Sequence, residues 1–185
     1  GKINQFGFSE ISPVSLEKAN NIHHVGAVQS EYSLSTRFPE LGLLQKTKKL
    51  ETAFIAFSPV GRGLLTDKPP TPERVKESPF LKVNPRFLEP NLSENIKAVE
   101  GFQKLAKDYG LSTAGLAIAW LIAKDKHIIP IPGTRSTIHL KEMIKGTEKS
   151  LTQADINEIE KNLPVGWAHG DRYSDVQWIG PEKYC

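Results

Sequence analysis

Two junctions in this sequence place glycine beside arginine directly after an apolar run. In HIIPIPGTRSTIHLKEM, residues 127–143, the run ends in Pro-Gly and is followed by hydroxyl residues, an arginine and a helical pattern. Amide N–H groups at a helix start, the hydroxyls of Thr134, Ser136 and Thr137, and the guanidinium of Arg135 could all converge on one anion. Ordinary helix capping accounts for Ser136 or Thr137 without any ligand. In SPVGRGLL, residues 58–65, Gly61 and Gly63 flank Arg62. Glycine permits a backbone turned inward, and arginine offers phosphate oxygens a planar fork. A plain turn explains that segment equally well. Both junctions leave the same end of their strands, and this coincidence strengthens the phosphate reading of each.

Other polar groups sit at strand ends. Gln29 closes an otherwise apolar run and either satisfies backbone or faces a ligand. Ser9 and Glu10 take the matching place after the first strand. Phe57 ends the third, where a ring can stack on a flat ligand or cap a core. Tyr32 could donate a proton only beside a group that lowers its pKa; no lysine is placed to do so, and a packed loop tyrosine is the reading. His23, His24, His127, His139 and His169 have no metal-ligand spacing. GxSxG and HExxH are absent, and the single cysteine, Cys185, allows neither an internal disulfide nor a cysteine zinc site.

The elements that must position these groups alternate strand and helix. Strands are expected at Ile3 to Phe8, Val25 to Gln29, Thr52 to Phe57 and His127 to Ile131. Between them run amphipathic or apolar helices: about 13–20 after Ser12, 41–49, 92–109 closed by Gly110, and the very apolar 113–123. A helix follows over about 136–146, and another over 151–163, where Thr152 and Asp155 form a partial capping box. Residues 58–91 read as a long proline-rich loop with short helical turns, and long loops in compact domains are usually lids or binding loops. The tail, 164–185, has no period; Trp167, Tyr173, Trp178 and Tyr184 could cover a site or pack across the helices.

Short buried strands alternating with helices mean a parallel α/β fold. No GxGxxG follows the first strand, which weakens a Rossmann reading. Four strands cannot close a (β/α)8 barrel, which takes eight, but they fit the C-terminal half of one, a single unit over 1–185. Barrels of this kind often bind phosphate in the loops after the last two strands.

The totals suit a folded domain: 185 residues can bury a core, and a net charge of +3 with mixed signs does not point to nucleic acid. No signal peptide or apolar membrane run is seen, so a cytoplasmic location without membrane insertion is expected. The chain opens mid-pattern on GKINQFGFSE, and its only methionine is Met143, so it reads as a fragment.

GKINQFGFSE, AVQSEYSLSTR, IAFSPVGRGLLT, AIAWLIA and PIPGTR with a following HLKE, taken in order, resemble the C-terminal half of an aldo-keto reductase. They look most like the branch that holds potassium-channel β subunits and plant and fungal reductases. The resemblance covers nearly the whole chain. It implies a barrel that binds NADP(H) without a Rossmann domain and reduces small carbonyl substrates. By the same resemblance, Ser9 and Gln29 hold the nicotinamide carboxamide and Phe57 stacks on its ring. Ser58, Val60, Gly61 and Arg62 lie along the pyrophosphate. Gly133, Thr134, Arg135 and His139 take the 2′-phosphate, and Glu142 lies near the adenine. Glu10 and Met143 stand where the family usually has asparagine. The family's catalytic Asp, Tyr, Lys and His belong to the N-terminal half, and nothing here matches them. Such a chain is expected to be inactive alone and to pair with a complementing half or with copies of itself, because an open sheet leaves two edges. The alternative is a non-catalytic regulatory or structural half-barrel.

Overall fold

The computed structural model describes residues 1–182, so Tyr184 and Cys185 lie outside the described residues. Four strands, β1 (Phe6–Ser9), β2 (Val25–Glu31), β3 (Ala53–Phe57) and β4 (Ile128–Ile131), form one sheet in the order β1-β2-β3-β4. Every neighbouring pair is parallel. The helices are α1 (Pro13–Asn20), α2 (Leu43–Lys49), α3 (Pro72–Glu77), α4 (Asn91–Asp108), α5 (Thr113–Lys124), α6 (Thr137–Thr147) and α7 (Gln153–Asn162).

Local chemistry explains the boundaries. Ser12 accepts from the Ser15 amide and Pro13 opens α1, where its missing N–H costs nothing. Thr152 and Asp155 complete a reciprocal capping box on α7. The sequence pattern extends β1 back to Ile3, but pairing begins only at Phe6 opposite Val25, and Ile3 is exposed. β2 instead runs past Gln29 to Glu31, because β3 continues the ladder up to the Glu31–Phe57 pair. Within 58–91 lie the short α3 and three single turns of tighter helix.

The sheet has two unlike faces. Val28, Phe54 and Ile128 lie side by side on one face and are buried by the helices. Tyr32, Phe54 and Trp120 meet there with ring centroids 5.4–5.9 Å apart. Every residue of α5 from Thr113 to Leu121 is buried, as an all-round apolar helix requires. The other face carries Ser9, Gln29, Ile55 and Ile129 in one row and Glu31, Phe57 and Ile131 in the next. It is uncovered at its β4 side, where Ile129 and Ile131 are 49% and 44% exposed. No described helix is long and apolar enough to cross a membrane.

Candidate functional site

Ser9, Gln29 and Phe57 come together on the open face at the C-terminal ends of β1, β2 and β3. Gln29 lies opposite Ser9 in the ladder, and its amide nitrogen reaches the serine hydroxyl at 3.5 Å. Both are accessible, and the half-buried Phe57 ends the next strand. A polar amide and hydroxyl held beside a ring can orient a planar ligand that carries a carboxamide.

The backbone just beyond these strands is bent hard. Glu10, Ser58 and Arg62 adopt φ of 56°, 50° and 55°, a region that costs non-glycine residues energy and recurs at functional sites. Gly61, also at positive φ, has no room for a side chain: a Cβ there would lie 2.8 Å from the Ser35 hydroxyl. Interactions across the strand ends hold this geometry. The Glu10 carboxylate accepts from the Glu31 amide at 2.8 Å and from the Ser30 hydroxyl at 3.1 Å. Arg172, from the tail, pairs with Glu10 and also reaches Glu31 at 3.4 Å. Arg62 pairs with Glu31 and donates to the Arg172 carbonyl. Thr36 donates to Glu31 at 3.1 Å and accepts from Arg86 at 2.9 Å. Burial lowers the Arg86 pKa to about 10, the Glu31 charge opposing that drop.

Composition and periodicity could not identify this ion network. Glu10 and Glu31 are separated by a whole βα unit, and Arg172 lies in a tail without a period. The only local signal is the polar Gln-Ser-Glu end of an otherwise apolar β2. Asn95 was equally hidden: it sits on the buried stripe of α4, donates to the Arg86 and His169 carbonyls at 2.9 Å, and accepts from the His169 amide at 2.7 Å.

The β4–α6 turn is built differently. Gly133, Thr134, Arg135 and His139 are exposed, and Glu142 is half-exposed on α6. Thr134 accepts from the Ser136 amide at 3.1 Å, and Ser136 caps the His139 amide. The Thr137 and Ile138 amides, in the first turn, find no acceptor among the described residues. Arg135 likewise has no ion-pair partner among them. Two open donors, a helix start and an unengaged guanidinium suit an anion. Behind this turn, Met143 is buried with Ala114 and Ile118, and Val60 packs on that cluster.

Tyr32 is buried, and its hydroxyl donates to Glu40 at 2.7 Å. Burial, followed by the Glu40 charge, pushes its pKa up, so it is no proton donor near neutrality. His23 and His24 are exposed before β2. Among the described residues, no group of three His, Cys, Asp or Glu could hold a metal ion.

The sequence pattern of the aldo/keto reductase family matches residues 1–163. The chain belongs to the aldo/keto reductase family. It is 35% identical over 173 residues to probable aldo-keto reductase 1 of Glycine max, covering 94% of this chain and 50% of that protein. Against aldo-keto reductase yakc [NADP(+)] of Schizosaccharomyces pombe it is 31% identical, covering 94% of this chain and 52% of that protein. A glycerol dehydrogenase structure from Gluconobacter oxydans superposes with TM-score 0.73 at 24% identity, over 88% of this chain and 50% of that one. The chain thus spans about half the length of the curated aldo-keto reductases it matches, and its four parallel strands form half of a (β/α)8 barrel.

Proposed function

We propose that this chain is the NADP(H)-binding half of an oxidoreductase that interconverts small carbonyl compounds and alcohols. The exposed turn Gly133–Arg135 carries the proposal: it opens α6 with two unclaimed amides and an arginine that nothing else in the described structure occupies. In this reading Arg135, with Thr134 and His139, grips the 2′-phosphate that separates NADP(H) from NAD(H), and Glu142 borders the adenine. Ser9 and Gln29 fix the carboxamide, and Phe57 supports the nicotinamide ring. Ser58, Val60 and Gly61 flank the pyrophosphate. Arg62 stands at the same segment, with its guanidinium already paired to Glu31. The bound cofactor supplies the hydride. In this reading the chain's residues hold and orient, and Tyr32, buried on Glu40, is not the group that protonates the substrate oxygen.

Carbonyl turnover therefore needs a second half that brings the proton donor. The free edges of β1 and β4, with the exposed Ile129 and Ile131 between the sheet and solvent, suit four further βα units. The same edges suit a self-associating, non-catalytic half-barrel, the second reading. A cytoplasmic setting, where the cofactor is abundant, accompanies the first. Calorimetric titration of the purified chain with NADP+ and NAD+ tests the cofactor reading. Tighter binding of NADP+ is expected; equal affinity for both, or no binding of either, overturns it. NADPH-dependent carbonyl reduction by the chain alone would refute the division of labour.

A further inference from the structure

The tail after α7 offers little apolar surface to hold it in place. Between 164 and 182 only Arg172 is buried, while Trp167 and Trp178 are half-buried and Val165, Val176 and Ile179 are exposed. Trp167 donates to the Leu34 carbonyl at 2.8 Å, which starts the tail across the loop after β2. Asn95 then holds the His169 backbone, and beyond it most contacts converge on one residue. The Arg172 guanidinium pairs with Glu10 and Glu31, and its carbonyl accepts from Arg62 and Asn84. Rings and guanidiniums then alternate in a ladder: Phe80, Arg62, Tyr173, Arg172, Trp178, each guanidinium carbon 4.8 Å from the ring centroids on either side.

We infer that residues 171–178 form a strap across the C-terminal mouth of the sheet, latched chiefly by Arg172, with Tyr173 and Gln177 adding contacts to Phe80. The strap is a conformational device that opens locally, with the barrel core intact. Its hold is mainly ionic and cation–π, with ring-edge contacts of Tyr173 to Phe80 and Trp178 and one hydrogen bond from Gln177 to the Phe80 carbonyl. Ionic and cation–π contacts surrender little buried apolar area on release. The strap lies on Glu10 and Glu31, each one or two residues from the already accessible Ser9 and Gln29, so opening uncovers the buried carboxylates beside those groups. It also takes Tyr173 and a carbonyl away from Arg62, so the 61–63 turn and the tail move as coupled parts. Arg172 is a positioning residue in this scheme, and the inference does not depend on which cofactor binds.

Hydrogen–deuterium exchange on the purified chain, without any ligand, tests the latch. Arg172→Lys keeps the charge and loses the planar fork; Tyr173→Leu keeps both ion pairs and removes the ring shared by the two guanidiniums. In each variant the amides of 171–178 are expected to exchange about tenfold faster or more, with α4, α5 and β3 at wild-type rates, the mark of local opening. Wild-type exchange in 171–178 in both variants overturns the inference. So does equal acceleration of strap and core, which would make Arg172 an ordinary stabilising residue. Failure of NADP+ to bind would leave this result unaffected, which keeps the two ideas separable.

Discussion

The two Gly-Arg junctions use the same residue types for opposite ends. At the β3 junction, Arg62 is folded inward with 9% of its side chain exposed, paired with Glu31 and stacked between Phe80 and Tyr173. At the β4 junction, Arg135 stands exposed at a helix start. The first guanidinium is spent on holding the strand ends together. The second has no ion-pair partner among the described residues. An arginine in a glycine-rich loop thus says little about phosphate until its carboxylate neighbours are known.

The sharpest way to break this contrast is to remove the carboxylate at the first junction. Glu31→Ala leaves Arg62, Arg172 and Arg86 facing one another with one buried partner fewer. Loss of one member of a buried ion pair costs about 3–5 kcal/mol, to be read as a lower urea midpoint. A midpoint unchanged from wild type would mean that the network is incidental.

The second junction should respond in binding and not in stability. Arg135→Ala removes a charge-assisted hydrogen bond worth about 1.5–3 kcal/mol, a loss of roughly 10- to 100-fold in NADP+ affinity. Its urea midpoint should stay near wild type, and NAD+ affinity should not fall with it. Parallel loss for both dinucleotides would move the 2′-phosphate away from Arg135.

Comparable in size is a change behind the exposed turn. α5 and α6 touch through glycine: a Cβ on Gly146 would lie 2.2 Å from the Gly115 carbonyl oxygen, where only backbone could give way. Gly146→Ala should therefore cost about 1–3 kcal/mol, as overpacking does, and shift α6 with the turn it carries. A Gly146→Ala chain with wild-type stability and NADP+ affinity would show that the turn does not depend on that contact.

The smallest effect concerns neither arginine and serves as a control on the far helix. Hydrogen bonds from Thr152 and then Tyr109 hold the Asp155 pKa at about 2, below the roughly 3.9 of a free aspartate. A depressed carboxylate stabilises the fold above its unfolded pKa, and that contribution fades as pH falls through the folded one. Stability should thus decline between about pH 4 and pH 2, and Asp155→Asn should flatten that slope, measured by urea melts across the range.

Much of the architecture was legible from the chain alone. Apolar runs such as AFIAF and the all-round apolar α5 declare buried elements, and proline, serine and threonine mark helix starts, because these signals act over a few residues. The boundaries slipped where pairing decides them: Ile3 finds no strand opposite, while Glu31 does. The apolar runs placed Ser9, Gln29 and Phe57 at strand ends, and the register put them on one accessible face. The network of Glu10, Glu31, Arg62 and Arg172 was beyond any local pattern, since its members meet across separations of up to 162 residues.

The sequence by itself determined the alternating strands and helices, the capped helix starts and the family, because hydrophobic period, caps and ordered motifs are properties of the chain. Only the tertiary structure decided which arginine is engaged and which is open, and that the tail crosses the mouth of the sheet. Burial sets the strength of a charge pair, and burial exists only once distant segments have come together.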